Sequence, residues 1–345
     1  MVSTAREENI LASETLLTRD EQVYDITIIG GGPTGLFAAF YCGMRDATCK
    51  IIDALPELGG QLATLYPEKF IYDVGGFPKI RSRDLVEQLK QQAFQRGPAV
   101  ELNQRVETLE RREDGTFELT TDKQVHLSKA IIICGGIGVF TPKALPGEGA
   151  DRFPDDIHYF IDNLDKFRGK HVLVVGGGDS AVDFALMLDN VATEVTLIHR
   201  RDQFRAHEES VKQLYESKVK IRTFTELQTL DGHARLESAT LVNNKTKETE
   251  RITIDSVVSG LGFSAALGPM NDWGLEIENN EIVVNTRMET NIPGVYAAGD
   301  IVTYPGKVKL IATGFGEAPT AVNNAKTFID PKARLSPGHS SSRKE

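Results

Sequence analysis

Cysteine is scarce in this 345-residue sequence, which holds only Cys42, Cys49 and Cys134. No two of them have CxxC spacing, and three cannot build a disulfide framework. A stapled secreted fold is therefore excluded, and a reducing, cytoplasmic compartment is expected. No apolar run comes near the roughly 20 residues that a membrane span needs, so insertion into a bilayer is not expected. The first two dozen residues carry charges throughout and lack the apolar stretch and small-residue cleavage site of a secretory signal; 1–22 reads as a polar extension. Positive charge is in deficit too. A formal net charge of −10 would repel a phosphate backbone over most of the surface, which argues against general nucleic-acid binding. No metal site is expected either.

What is present is one plan written twice. Tyr24–Ile29 (YDITII) reads as a short buried strand that ends in Gly30-Gly31-Gly32-Pro33-Thr34-Gly35, opens a helix over about Pro33–Met44 and returns as the strand CKIID, closing at Asp53. Lys170–Val175 (KHVLVV) ends in Gly176-Gly177-Gly178-Asp179-Ser180-Ala181, continues as the apolar helix AVDFALML and returns as EVTLIH. After each unit come weakly alternating segments broken by a turn dipeptide, Asp114-Gly115 and then Asp231-Gly232, which predict a small β-meander in each half. Each half re-enters its main sheet through a strand closing on glycine, AIIICGG (130–136) and SVVSGLG (256–262).

The length suits two domains, and the pattern predicts an α/β protein with two Rossmann-like, three-layer dinucleotide-binding domains. TNIPGVYAAGD (290–300) is a further strand, followed by a helix expected over about 317–328; it is assigned back to the first domain, which becomes discontinuous. The expected division is 23–140 with 264–330 for the first domain, 141–263 for the second, and 331–345 for a tail rich in Pro, Gly and Ser.

In such a turn the first glycine permits the tight bend, the second lets the backbone approach a pyrophosphate, and the third lets helix pack on strand. The helix N-terminus then offers free N–H groups and a positive dipole end to the phosphates. Gly30, Gly32 and Gly35 are the candidates in the first unit; Gly176, Gly178, Asp179, Ser180 and Ala181 are those in the second. Discrimination lies at the end of the second strand, which reaches the adenosine ribose. There the first unit has Asp53, whose carboxylate accepts bonds from ribose hydroxyls and would repel a 2'-phosphate, favouring FAD or NAD. At the same distance from its first glycine the second unit has His199, followed by Arg200 and Arg201, with Arg205 a turn further on. Paired guanidinium bonds suit a phosphate dianion, favouring NADPH. A solvated basic face or a nucleic-acid patch is the competing reading.

With these residues in place, the sequence resembles the thioredoxin-reductase-like flavoproteins: GGGPTG, GGGDSAVD, HRRDQFR and TNIPGVYAAGD occur in that family's order across nearly the whole chain. Thioredoxin reductases carry a redox CxxC shortly before the second glycine motif, where this chain reads HYFIDNLDKFRGK. Glutathione-reductase-like enzymes carry a cysteine pair after the GG that follows the second strand, where it reads GGQLATLYPEK. Neither stretch has a cysteine, and Cys42, Cys49 and Cys134 read as core. This pattern, with GGQLATLYPEKFIYDVGGFPKI and the tail PGHSSS, is similar to the ferredoxin-NADP reductases of thioredoxin-reductase type.

That resemblance implies FAD in the first domain, with Thr34 at the pyrophosphate turn, Asp53 at the ribose and Asp300 on the ribityl chain. Gln61 and Tyr66 would lie beside the flavin, Tyr66 stacked on one ring face, and Val106 and Phe140 would line the adenine and flavin pockets. His339 would cover the opposite face, and Ser340 or Ser341 would reach the flavin edge. The implied reaction is hydride transfer between NADPH and flavin N5, coupled to one-electron transfer with ferredoxin or flavodoxin, because flavin handles electrons both in pairs and singly. Hydride transfer strictly needs no side-chain acid or base, so no catalytic residue is assigned beyond the stacking candidates Tyr66 and His339. A homodimer is implied, as is rotation of the second domain about hinges near Gly138–Pro142 and Gly260–Ser264. Lys307, Lys309, Arg334 and Arg343 are the basic candidates for docking an acidic ferredoxin. Two alternatives stay open. One is a same-fold NADPH oxidoreductase with another acceptor, such as rubredoxin, a quinone or a thioredoxin-like protein. The other is a redox-sensing module that binds FAD and NADPH without turnover.

Overall fold

In a computed structural model, residues 17–136, 138–336 and 338 are described, together with their side chains except those of 139–141, 264 and 265. Ile26, Ile28 and Ile29 are all buried, as a strand covered on both faces requires. They belong to the strand Thr18–Ile29, which pairs in parallel with Cys49–Ile52 on one side and Gln124–Ile133 on the other, Ile28 lying beside Ile51 and Ile132. Ala99–Glu101 extends the sheet beyond Cys49–Ile52, and Val295–Ala297 pairs in parallel with Ile131–Ile133. The antiparallel meander Val106–Arg111, Phe117–Thr121, Gln124–Ile133 turns at Gly115, as the Asp-Gly dipeptide predicts. The helix Pro33–Met44 packs against Ser82–Ala93 and Ile311–Ile329.

Two elements differ from expectation. The first strand begins at Thr18 rather than Tyr24, so part of the supposed extension joins the sheet, Thr18 and Arg19 pairing with Gln124 and Val125 before a register irregularity that ends at Val23. These residues are mostly exposed and polar, so backbone pairing holds them without a hydrophobic period to betray it. The last helix starts at Ile311 rather than near 317. Gly314, Gly316 and Pro319 depress its helix propensity, and packing against the first domain overrides that.

The second domain repeats the plan with five parallel strands in the order Ile157–His158, Ser256–Gly260, His171–Gly176, Glu194–His199, Lys220–Thr223. Its helix Asp179–Leu188 follows the glycine turn, and its meander is Thr225–Gly232, Leu236–Asn243, Thr249–Thr253. The two chain crossings between the domains, Val139–Pro142 and Phe263–Ala266, pair with each other as an antiparallel ribbon. Among the described residues no helix is long and apolar enough to cross a membrane.

Candidate functional site

Two clefts open at the carboxyl ends of the parallel strands, the place where open α/β sheets bind ligands. They enclose about 340 and 660 Å³, within the roughly 300–1000 Å³ of cofactor sites.

The first cleft is shaped by missing side chains. A Cβ on Gly30 (φ +105°) would fall 2.4 Å from the Cys134 carbonyl oxygen, and one on Gly35 would fall 1.9 Å from the Gly30 carbonyl oxygen. Gly32 faces Gly60, where a Cβ would stand 3.0 Å from the Gly32 Cα. The helix begins after Gly32 with no side-chain cap and no acid in its first turn, so its leading N–H groups are open to an anion. The carboxylate of Asp53 accepts from Gly31 N–H at 2.6 Å and Leu55 N–H at 2.9 Å. Burial raises its pKa, and those two bonds oppose the rise.

Gly30, Gly32, Thr34, Asp53, Gln61, Tyr66, Val106 and Asp300 all line this cleft, while Gly35 lies buried beneath the turn. The Tyr66 hydroxyl is pushed up to about 12 by burial and by the charge of Asp300, so the ring is neutral at physiological pH. Burial raises the Asp300 carboxyl, with Lys307 and Lys309 pulling the other way. The side chain of Phe140 lies outside the described residues, as do His339, Ser340, Ser341 and Arg343.

Sequence reasoning missed what holds the Gly299-Asp300 turn. Glu317, 4% exposed, accepts from Gly299 N–H at 2.7 Å and from the Tyr304 hydroxyl at 2.6 Å, and pairs with Lys307. A carboxylate within the apolar stretch IATGFGEAPTAV was the available signal. Lys307, expected as a docking cation, is only 5% exposed inside this pair, so it is not a surface charge. Lys309 pairs with Glu281.

In the second cleft Gly176, Gly178, Asp179, Ser180, His199, Arg200, Arg201 and Arg205 come together, with Lys143 beside them. A Cβ on Gly177 would meet the His199 ring at 2.2 Å, which fixes that middle glycine. His199 bonds the Gln203 carbonyl through Nε2 at 3.1 Å and stacks on Phe204. Its pKa is lowered, chiefly by burial, with the three arginines adding to the effect and the Gln203 bond opposing it. The guanidinium groups of Arg200, Arg201 and Arg205 are in no ion pair among the described residues, although Asp179 and Glu226 line the same cleft. Asp179 accepts from His207 N–H at 2.9 Å, tying down the basic loop. Ala181 is fully buried, and a Cβ on Gly260 would lie 2.5 Å from its Cα, so it packs helix on strand and does not line the cleft.

All three cysteines are free and buried. Cys134 lies at the first cleft, and burial holds its thiol far above the ordinary range.

The family of pyridine nucleotide-disulphide oxidoreductases matches residues 24–325. A ferredoxin-NADP reductase of Halalkalibacterium halodurans is 59% identical over 328 residues, covering 94% of this chain and 99% of its own. One from Geobacillus thermodenitrificans is 56% identical over 94% of this chain and 98% of its own. Among solved structures, Lactococcus lactis thioredoxin reductase in its FR conformation superposes with a TM-score of 0.75 at 26% identity, over 89% of this chain and 99% of that one. T. acidophilum thioredoxin reductase has the same fold, with a TM-score of 0.77 at 24% identity over 91% and 100%.

Proposed function

Because the chain belongs to the pyridine nucleotide-disulphide oxidoreductase family, we propose that it is a ferredoxin-NADP reductase with FAD and NADP(H) as its cofactors. The observation that carries this reading is the pairing of two glycine cradles, each followed by its own ribose-end residues, with a chain whose cysteines are all buried. With no accessible dithiol to relay electrons, they pass directly to an external acceptor. Relatives named for the ferredoxin reaction align over almost the whole chain.

When bound, FAD supplies the exchange between a two-electron nicotinamide and a one-electron partner. What the chain contributes is binding and placement. Gly30, Gly32 and Gly35 open the first helix to the pyrophosphate, with Thr34 beside it, Asp53 takes the ribose hydroxyls and Asp300 the ribityl chain. Gln61 and Tyr66 would hold one side of the ring system, Val106 and Phe140 would serve the pocket, and His339 with Ser340 or Ser341 would complete the other side. In the second cleft Gly176, Gly178 and Ser180 take the NADPH pyrophosphate, while Arg200, Arg201 and Arg205 take the 2'-phosphate beside His199. The FAD-binding domain would be 23–140 with 264–330, the NADPH-binding domain 141–263, and 331–345 the tail that would cover the flavin. The partner is ferredoxin or flavodoxin, and the protein works as a cytoplasmic homodimer.

The test is the steady-state rate of ferredoxin-dependent cytochrome c reduction by the purified protein, with NADPH and NADH in parallel. Fast reduction that requires ferredoxin and prefers NADPH is expected. Flavin bleaching by NADPH with no gain from ferredoxin would move the reaction to another acceptor.

A further inference from the structure

Lys50 is 1% exposed and His126 fully buried, two titratable groups that no step of the proposed reaction uses. The Lys50 ammonium donates to His126 Nδ1 at 3.0 Å, pairs with Asp20 and sits 4.5 Å from the centroid of the Tyr24 ring. An ammonium can only donate, so Nδ1 is the acceptor and the imidazole proton resides on Nε2. That N–H faces Gln104 Oε1 at 3.0 Å, an oxygen that also accepts from the Thr121 hydroxyl at 2.8 Å. The Gln104 amide is thereby turned so that Nε2 donates to Glu101 at 2.9 Å. Direction passes along the whole chain of contacts from one fixed charge.

The far end of this chain is the wall of the first cleft. Gln104 N–H donates to the Asp53 carbonyl at 3.0 Å, Asn103 N–H to that of Leu55 at 3.0 Å, and Asp53 N–H to that of Glu101 at 2.9 Å. Gln104, Arg105 and Val106 line the cleft together with the adjoining Asp53, Ala54 and Leu55. Replacing a buried ion pair by apolar side chains of similar volume is often neutral or stabilising, so stability alone does not account for a charge at this position. We propose that Lys50, His126 and Gln104 are positioning residues for the adenosine end of FAD, anchored by Asp20 on the N-terminal strand. The proposal rests on the reading of the first cleft as the FAD site.

The test is the rate at which the holoenzyme releases FAD on dilution, followed by flavin fluorescence, with NADP+ affinity measured in the same variants. Lys50→Met keeps the volume and removes the donor, and is expected to release FAD about tenfold faster, the scale of one lost hydrogen bond. Lys50→Gln keeps a donor for His126 and is expected to release FAD near the wild-type rate. A packing role predicts the opposite order, because Met fills the site and Gln buries an amide. Asp20→Asn, near the surface, is expected to accelerate release about threefold and carries the test should the Lys50→Met protein fail to fold. Equal release from all variants, faster release from Lys50→Gln than from Lys50→Met, or a matching loss of NADP+ affinity would overturn the proposal. A wild-type protein that is colourless and takes up no added FAD would overturn it together with the FAD reading, whereas a yellow protein with indifferent variants would sink this proposal alone.

Discussion

Arg201 is the side chain on which the proposed nucleotide preference rests most directly. Its guanidinium is exposed at the second cleft beside Arg200, and neither is in an ion pair among the described residues. A charge-assisted bond to a phosphate is worth roughly 1.5–3 kcal/mol, so Arg201→Ala should raise KM for NADPH by about 10–100-fold. KM for NADH should not change, and paired steady-state titrations check this. Glu317 acts through charge in the interior. Glu317→Ala strands the Lys307 ammonium where both partners are 5% exposed, and should cost about 3–5 kcal/mol in urea unfolding. His126 gives stability a pH dependence: burial, then the charge of Lys50, push its pKa down to about 4, with Asp20 opposing. In the unfolded chain the imidazole titrates near 6.5. Between those values only the unfolded chain holds the proton, so stability falls as pH drops through that window, by at most about 1.4 kcal/mol per pH unit from this group. Denaturation curves of His126→Gln across the window should be correspondingly flatter.

The helix Ile311–Ile329 is where propensity and packing disagree. A Cβ on Gly314 would stand 2.3 Å from the Thr34 hydroxyl oxygen and one on Gly299 2.9 Å from the same oxygen, so two glycines make room for one threonine. In an exposed helix Gly→Ala gains about 1 kcal/mol. Here Gly314→Ala should lose about 1–3 kcal/mol through overpacking, and adding Thr34→Ala should restore most of it, as read from unfolding midpoints. The strand, turn and helix of each unit were legible because buried β-branched runs and glycine turns are short-range signals. Asp53 and the His199 to Arg205 cluster were legible because their spacing from the turn is local as well. Glu317 was not, since its partners Gly299, Tyr304 and Lys307 come together only when the helix folds back on the strand that precedes it. Thr18–Gln22 escaped because an exposed, polar strand end carries no hydrophobic period, and that Ala181 packs beneath the cleft lining was not legible because motif position alone does not tell lining from packing.

Across the whole molecule the buried side chains fall into separate bodies. One cluster belongs to the first domain, and two others lie within the second; no buried cluster among the described residues joins the domains. Lys69 and Asp183 form an ion pair between them at 2.6 Å, with side chains 42% and 20% exposed; exposed pairs of this kind contribute roughly 0.2–1 kcal/mol. Calorimetry should therefore resolve two unfolding transitions, one raised by FAD and the other by NADP+, each by about 2.7 kcal/mol at a hundred times Kd. A single transition moved equally by either ligand would mean that the domains unfold as one.

The ribbon of Val139–Pro142 against Phe263–Ala266 sets Pro142 opposite Phe263. Everything between those residues leaves and rejoins the host through one narrow neck, like a cassette clipped into a loop. An insert joined this way could be exchanged or recoded without re-threading a single strand of the host sheet. If it is the proposed NADPH-binding domain, coenzyme choice would be heritable separately from the rest of the polypeptide.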